Sequence, residues 1–305
     1  MKILITGANG FIGSALTKKM LELGHEVFAL VTDFDELKSI KSRKLHLFRL
    51  FFDDYNSIAA EVGTSIDVAY HFAWEGLCGQ AAVDVDLQLN NVKATNTLLI
   101  ELKKLGLKKF VFASSMNVLE VRSFLNNPSR FATRGVYVHV ASKLNAEIIA
   151  RIFCERNNIE FNEGIIAMAY GEGNKSKMIP NIFIYNLLNG IDSKLVTGNN
   201  QYDLIYISDI VSAFEHIGLR GLDKKTYYIG HAWNKTFKDI FTEIKDILNP
   251  NYKIVFGGFS EDNLVDFSCI NRNELTIDTG WKPSADFRES IIQTASWIRD
   301  SGFKP

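Results

Sequence analysis

The chain has 305 residues, of which 47% are hydrophobic and 23% are charged, and its formal net charge is -1. A chain of this length can bury a sizeable core and forms one large domain or two interleaved domains. The balanced charge provides no basic face for nucleic acid or for an anionic membrane surface, so we expect neither as a partner.

The cysteines and the first residues bear on where the protein works. Cys78, Cys154 and Cys269 are far apart and odd in number, which predicts neither a disulfide framework nor a metal site and favours a reducing cytoplasm. No uninterrupted apolar run approaches the ~20 residues of a membrane span, and the features of a signal peptide are missing. We therefore expect a soluble, cytoplasmic protein that holds no metal.

The amino-terminal stretch predicts a strand, a tight turn and a helix. Residues 2–5 read as a buried strand, three glycines follow, and apolar residues then recur at helical spacing. Backbone N–H groups at such a helix start can bind a pyrophosphate where glycine leaves room. The spacing G-x-x-G-x-x-G is a variant of the dinucleotide fingerprint with a longer turn. We expect a dinucleotide to be held by Gly7, Asn9, Gly10, Phe11, Ile12 and Gly13.

Acidic residues after the second and third predicted strands are candidates for the adenosine half of this ligand. Asp33 lies about 20 positions beyond the glycines, where an acidic residue binds the ribose hydroxyls, although a solvated turn is the alternative. Asp53 or Asp54 is suited to meet the adenine amino group or to cap a helix. No arginine lies between positions 31 and 40 to hold a 2′-phosphate, which favours NAD without excluding NADP.

Strands and helices alternate through the first 170 residues, the pattern of a Rossmann-like α/β fold with a doubly wound parallel sheet. Ligands bind such sheets beyond the carboxyl ends of the strands. His71, Ser115 and Tyr170 stand, like Gly7 and Asp33, at predicted ends. We expect these ends to line one site, with His71 itself packed in the core rather than serving as a metal ligand.

Two long helices are predicted at residues 84–105 and 138–157. The first carries Asn91, a polar residue expected to bridge the helix and the sheet. On the second, His139 and Lys143 stand four residues apart and share one face.

The last third of the chain is more mixed. We expect residues 1–170, with a return segment near 204–218, to form a dinucleotide-binding domain. Residues 171–305 are expected to form mainly a smaller mixed α/β region that caps the substrate. Before that boundary, residues 120–135 are expected to be irregular.

A set of short motifs spans essentially the whole chain. It comprises TGANGFIG at 6–13, His71-Phe72-Ala73, Asn91-Val92, Ser114-Ser115, Ser142-Lys143-Leu144 with Glu147, Tyr170-Gly171, DLIYI at 203–207 with Asp209, and Gly280-Trp281-Lys282-Pro283. This set resembles the extended short-chain dehydrogenases/reductases, specifically the NAD-dependent epimerase/dehydratase group that acts on nucleotide sugars.

The resemblance implies an enzyme that transfers a hydride, with Ser115, a tyrosine and Lys143 at the reacting centre. In the family, the tyrosine hydroxyl exchanges the proton of the sugar hydroxyl and the serine hydrogen-bonds the reacting oxygen. The lysine holds the nicotinamide ribose and lowers the pKa of the phenol. The resemblance also implies that Phe72, Ala73 and Asn91 contribute, with Lys143, to the cofactor site.

The tyrosine itself departs from the family pattern. His139 stands four residues before Lys143, and Tyr137 stands six before it. Two residues that are six positions apart on a helix differ in direction by about 240° beyond one full turn. Tyr137 therefore shares the face of Lys143 only if the helix start is irregular. Three interpretations stay open: His139 is the acid/base, Tyr137 swings in, or proton transfer is lost.

The substrate contacts depart as well. Met168 stands where the family has an asparagine at the substrate diphosphate, and Tyr202 stands where it has a phosphate-binding arginine. Losing a bidentate phosphate partner lowers affinity for a diphosphate. Lys175, Lys177 and Arg220 are the candidates to replace it, and the alternative is that each is a solvated surface charge.

The predicted function is an NAD(P)-dependent epimerase, dehydratase or keto-reductase acting on a nucleotide-activated sugar. The alternative is a dinucleotide-binding sensor or regulatory protein without turnover. The two long helices resemble those by which the family dimerises as a four-helix bundle. Because the second helix has more apolar surface than one buried face requires, we expect a homodimer.

Overall fold

The protein is described by a computed structural model that covers residues 1–126, 136–259 and 264–305. Its strands are β1 (Lys2–Thr6), β2 (Glu26–Val31), β3 (Leu45–Arg49), β4 (Val68–His71), β5 (Lys109–Ser115), β6 (Glu160–Ile166), β7 (Met168–Tyr170), β8 (Ser193–Leu195), β9 (Leu204–Tyr206), β10 (Thr226–Ile229) and β11 (Ile254–Phe256). Its α-helices are α1 (Phe11–Glu22), α2 (Ile58–Val62), α3 (Val85–Lys104), α4 (Val118–Asn126), α5 (Val136–Arg156), α6 (Ile179–Asn189), α7 (Ile207–Arg220), α8 (Phe237–Leu248), α9 (Glu274–Thr279) and α10 (Phe287–Asp300).

Seven strands form one parallel sheet in the order β10-β6-β5-β4-β1-β2-β3. This is the strand order of a doubly wound sheet, with β10 added at the β6 edge. The chain reverses its direction of winding between β1 and β4, and ligands bind such sheets at that point. The expected fold class is confirmed.

Helices cover both faces of the sheet, because its strands are apolar on both sides. Ile3, Ile5 and Val111 belong to the core shared with α1 and α7. Leu4 and Phe110 alternate with them and belong to the core shared with α3 and α5. The two cores hold α1 and α5 on opposite faces of the sheet. Both helices begin at its carboxyl edge.

The segment after β5 differs from the sequence-based expectation. The expectation of an irregular stretch at residues 120–135 is wrong for its first part, because α4 extends to Asn126. Val118, Leu119 and Val121 are buried at spacings that a helix brings to one side. Residues 127–135 lie outside the described part of the chain.

The chain returns to the main sheet after residue 171, but it does so through β10. In the expected return segment, β9 pairs with β7 in a separate two-stranded sheet, and α7 packs against α1. The mixed region also contains a second two-stranded sheet, formed by β8 and β11. The domain boundary near residue 170 stays a prediction.

Membrane-spanning helices and metal clusters are absent from the described ranges 1–126, 136–259 and 264–305. None of the helices in those ranges combines the length and apolarity that crossing a bilayer demands. The same ranges contain no cluster of three or more His, Cys, Asp or Glu side chains suited to a metal ion. All three cysteines are free thiols.

Candidate active site

The turn between β1 and α1 can be made only with glycine at two positions. Gly7 has a φ of 63°, and a Cβ there would lie 2.9 Å from the backbone N of Ala73. A Cβ on Gly13 would lie 2.2 Å from the carbonyl O of Gly7. Without these Cβ atoms the turn lies close against the segment that follows β4, and α1 begins directly beside the winding reversal of the sheet.

The start of α1 has the chemistry of an anion site. Its N-cap is Gly10, which provides no side-chain cap, and the first turn contains no acidic residue. The first backbone N–H groups of a helix have no partner within the helix and carry partial positive charge. The turn therefore fits the pyrophosphate of a dinucleotide.

A cavity of about 510 Å³ opens along the carboxyl edge of the sheet and joins this turn to α5. Eleven of the residues expected from the sequence line it: Gly7, Asn9, Gly10, Phe11, Ile12, Gly13, Phe72, Ala73, Ser115, His139 and Lys143. The structure thus places the glycine turn and the expected reacting centre in one cavity.

The acidic residues expected at the adenosine end are exposed and lie outside this lining. The carboxylate of Asp33 accepts a hydrogen bond from the backbone N of Asp35 at 2.7 Å. The Asp54 carboxylate accepts a hydrogen bond from the backbone N of Phe51 at 3.0 Å. This contact corresponds to the helix-capping alternative. The neighbouring residue, Asp53, is exposed. The cavity wall near them is formed by Thr32, Phe52 and Tyr55.

Asn91 lies behind the cavity wall. Its side chain accepts from the backbone N of Glu75 at 2.7 Å and donates to the Glu75 carbonyl at 3.0 Å. Asn91 is therefore a bridge, as expected, but it joins α3 to the segment that follows β4 rather than to the sheet itself. It shapes the wall without contributing to the lining.

Tyr137 lies on the first turn of α5 and does not line the cavity. It is buried, and its ring packs against Phe124 of α4 with 5.3 Å between the ring centroids. The regular helix from Val136 onwards places Tyr137 away from the face of Lys143, as the helical rotation requires. The interpretation in which Tyr137 swings in from an irregular start has no support in this geometry.

His71 is a packed residue, as expected. Its Nδ1 lies 2.8 Å from Oγ1 of Thr6 and its Nε2 lies 2.9 Å from Oγ1 of Thr95. Burial lowers the pKa of His71 to about 3, with a further contribution from the charge of Lys143. The neutral ring joins β1, β4 and α3 beneath the cavity floor.

Lys143 extends from α5 beneath the end of β5. Its Nζ donates a hydrogen bond to the carbonyl O of Ala113 at 2.9 Å and lies 4.4 Å from the centroid of the Trp74 ring. Burial lowers the pKa of Lys143 to about 7, partly opposed by the charge of Glu163. The amine is therefore able to gain and lose a proton near neutral pH.

His139 lies one helical turn before Lys143 and is also buried. Its Nδ1 lies 3.3 Å from Oε1 of Gln88, and its ring meets the edge of Trp74 with 5.8 Å between centroids. Burial, and then the charge of Lys143, lower the pKa of His139 to about 3. The imidazole is neutral at physiological pH, with one nitrogen available as a proton acceptor.

Ser115 ends β5 and faces the same cavity. Its Oγ accepts a weak hydrogen bond from the backbone N of Asn117 at 3.4 Å. The hydroxyl proton can therefore be donated to an oxygen in the cavity.

The residues at the expected substrate contacts have different environments. Met168 lines the cavity, whereas Tyr202 is buried in the core with its ring 5.1 Å from that of Phe237. Lys175 is exposed and forms an ion pair with Glu36, which follows β2. The position of the family's arginine is thus used for packing.

Several residues of the site were missed by sequence reasoning, among them Thr32, Trp74 and Gln88. These three contribute to the cavity wall or support it. Trp74 directly follows the motif residue Ala73, and its size is a signal that could have been used. Gln88 gives no signal in the sequence, because its partners come from the irregular segment before α3 and from another helix.

The comparisons with known proteins agree with this geometry. Residues 3–230 match the model of the NAD dependent epimerase/dehydratase family, so the chain belongs to this family of NAD-dependent enzymes. The expectations of an enzyme and of NAD as the family cofactor are confirmed.

Individual relatives are more distant. CDP-abequose synthase from Salmonella typhimurium is 25% identical over 95% of each chain. dTDP-glucose 4,6-dehydratase from Streptomyces antibioticus is 23% identical over 99% of this chain and 93% of its own. Among solved structures, UDP-glucose 4-epimerase from Thermotoga maritima, in a structure with UDP-glucose, has a TM-score of 0.80 at 21% identity and covers 99% of both chains. DesIV from Streptomyces venezuelae, a dTDP-glucose 4,6-dehydratase with NAD bound, has a TM-score of 0.80 at 20% identity and covers 99% of this chain and 98% of its own. These structures share the Rossmann-like fold.

Proposed function

We propose that the protein oxidises a carbinol carbon or reduces a carbonyl carbon of a nucleotide-activated sugar, as an epimerase, a dehydratase or a keto-reductase. The observation that carries the proposal is that the glycine turn, Ser115, His139 and Lys143 line one cavity. The relatives named CDP-abequose synthase and dTDP-glucose 4,6-dehydratase support the substrate class.

The cofactor residues are proposed on the same basis. Backbone N–H groups of the turn from Gly7 to Gly13 hold the pyrophosphate, with Asn9, Phe11 and Ile12 around it. Asp33 binds the adenosine ribose and Asp53 or Asp54 the adenine, after the loops that carry them adjust. Phe72 and Ala73 flank the nicotinamide half, with Asn91 behind them, and Lys143 binds the nicotinamide ribose. Bound NAD supplies the hydride acceptor.

The proton is handled by residues of this chain. As the carbinol carbon loses its hydride, its hydroxyl loses a proton to Nε2 of His139, and Ser115 donates a hydrogen bond to the same oxygen. Lys143, with its pKa of about 7, can be neutral at this step, and its charge then no longer opposes protonation of His139. His139 therefore takes the place of the family's tyrosine.

The test is conversion of a panel of CDP-, dTDP- and UDP-sugars by the purified full chain with NAD or its reduced form, read from the sugar products and from the absorbance of reduced nicotinamide. We expect at least one sugar to be converted. His139→Asn is expected to lower the rate by about 10²-fold or more, because general-base catalysis contributes that much. Tyr137→Phe, the matched control on the same helix turn, is expected to retain most of the rate.

One observation favours the alternative of a dinucleotide-binding protein without turnover. The ammonium of Lys143 is already covered by Trp74 and bonded to Ala113. If NAD binds, as measured by calorimetry, and no sugar in the panel is converted, the enzymatic proposal is wrong and this alternative holds.

We also propose that the protein is a homodimer. Helices α3 and α5 pack side by side, and both present exposed apolar residues at helical spacing. These residues are Val85, Leu89 and Ile100 on α3 and Ile148 and Ile152 on α5. Burying this surface against a second copy removes it from water.

A further inference from the structure

Gln88 is a fully buried amide on α3, directly behind the reacting centre. Its Nε2 donates to the carbonyl oxygens of Glu75, Gly76 and Ala81 at 3.2, 2.8 and 2.9 Å. Its Oε1 accepts from the indole Nε1 of Trp74 at 2.9 Å. Carbonyls only accept and an indole N–H only donates, so the amide has one possible orientation.

This orientation determines which nitrogen of His139 carries hydrogen. Nδ1 of His139 lies 3.3 Å from Oε1 of Gln88. Because that oxygen is an acceptor, Nδ1 must be the donor, and the neutral ring then has its lone pair on Nε2. Within the described part of the chain Nε2 makes no hydrogen bond, and His139 lines the cavity.

The same amide also holds the Trp74 ring that covers the amine of Lys143. Trp74, held through its indole nitrogen, lies with its ring centroid 4.4 Å from Nζ of Lys143 and 5.8 Å from the ring of His139. One buried side chain therefore sets the position of two groups that face the cavity.

We propose that Gln88 is a positioning residue that holds His139 as its Nδ1–H tautomer, with Nε2 as the proton acceptor, and holds Trp74 across Lys143. Its catalytic importance rests on the proposed function. The tautomer itself does not, because it can be measured without turnover.

The first test is the tautomer of His139 in the full-length protein labelled with ¹⁵N-histidine, with the signal assigned from the His139→Asn variant. We expect the one- and two-bond N–H correlations of the Nδ1–H form. Gln88→Met, which keeps the length of the side chain and loses its polar atoms, is expected to abolish this preference. An Nε2–H ring in the wild type, or an unchanged ring in Gln88→Met, would overturn the proposal. The wild-type measurement decides even if Gln88→Met does not fold.

The second test places a carboxylate beside Nδ1. Gln88→Glu is expected to raise the pKa of His139 by about one unit or more, because an opposite charge at this distance stabilises the imidazolium; Lys143 is the charged group that acts against it. Gln80→Glu, the same change at an exposed position eight residues earlier, is the control and should leave the titration in place. Equal titration in both variants would contradict the proposal.

Kinetics separate the two proposals. If a sugar substrate is found, Gln88→Met should lower kcat at least tenfold with little change in the KM for NAD, and Gln88→Glu should shift the pH profile of kcat. If no sugar reacts while the tautomer and its loss are observed, the proposed function fails and the role of Gln88 in positioning the ring stands.

Discussion

Lys143 illustrates how a single charged side chain is affected by its surroundings. Its ammonium lies 4.4 Å from the centroid of the Trp74 ring and 5.4 Å from that of Phe112, and it donates a hydrogen bond to Ala113. Removing an amine from water disfavours its charged form. The pKa of Lys143 is about 7 in the folded protein and 10.5 for an ordinary lysine.

This difference predicts a dependence of stability on pH. Between about pH 7 and about pH 10, the unfolded chain binds a proton at Lys143 that the folded protein does not. The free energy of unfolding should therefore rise with pH by up to about 1.4 kcal/mol per unit relative to Lys143→Met, whose residue cannot titrate. Urea unfolding of both proteins at several pH values measures the difference. Lys93→Met, at an exposed position on α3, should show the same dependence of the free energy of unfolding on pH as the wild type. The same dependence in Lys143→Met would contradict the prediction.

The sequence identified His139 and Lys143 as neighbours because spacing along one helix is a local property. It left three interpretations for the proton-transfer group because the direction of Tyr137 depends on its packing against Phe124 from another helix. Trp74 and Gln88 were missed for the same reason, since their hydrogen bond joins two segments that approach only when the sheet has formed.

At the level of elements, the turn between β1 and α1 is a tightly constrained connection. Its glycines fall at fixed spacing directly after an apolar strand, so the strand, turn and helix could all be predicted from the sequence. The pairing of β8 with β11 could not, because strands of three residues carry too little periodicity and their partners are far apart in the chain.

Gly13→Ala should break this connection. The added methyl group would lie 2.2 Å from the Gly7 carbonyl O, so either the turn or the helix must shift. We expect a loss of about 1–3 kcal/mol in the free energy of unfolding, typical of overpacking, and at least a tenfold loss of NAD affinity. Urea unfolding and calorimetry measure the two effects. Ser14→Ala, one residue further along α1, should change neither, and a Gly13→Ala protein with normal NAD affinity would refute the role of the turn.

At the level of the whole molecule, the exposed apolar residues of α3 and α5 form a surface that would stay in contact with water in a monomer. Ile148→Lys with Ile152→Lys should convert the proposed dimer to a monomer, because two charges would be buried without partners in the interface. Sedimentation velocity reports the change in mass. Ile277→Lys, at a highly exposed position on α9, is the control, and a wild-type protein that sediments as a monomer would refute the dimer.

The ion pair between Lys175 and Glu36 has a consequence for how fast the cofactor is exchanged. Lys175 lies between Asn174 and Ser176, which line one side of the cavity, and Glu36 belongs to the segment that follows Thr32 on the other side. If a dinucleotide leaves between these two segments, breaking the ion pair should help it leave. Because exposed ion pairs are weakened by dissolved ions, added sodium chloride should quicken release, and Lys175→Gln should make the release rate insensitive to ionic strength in a stopped-flow measurement.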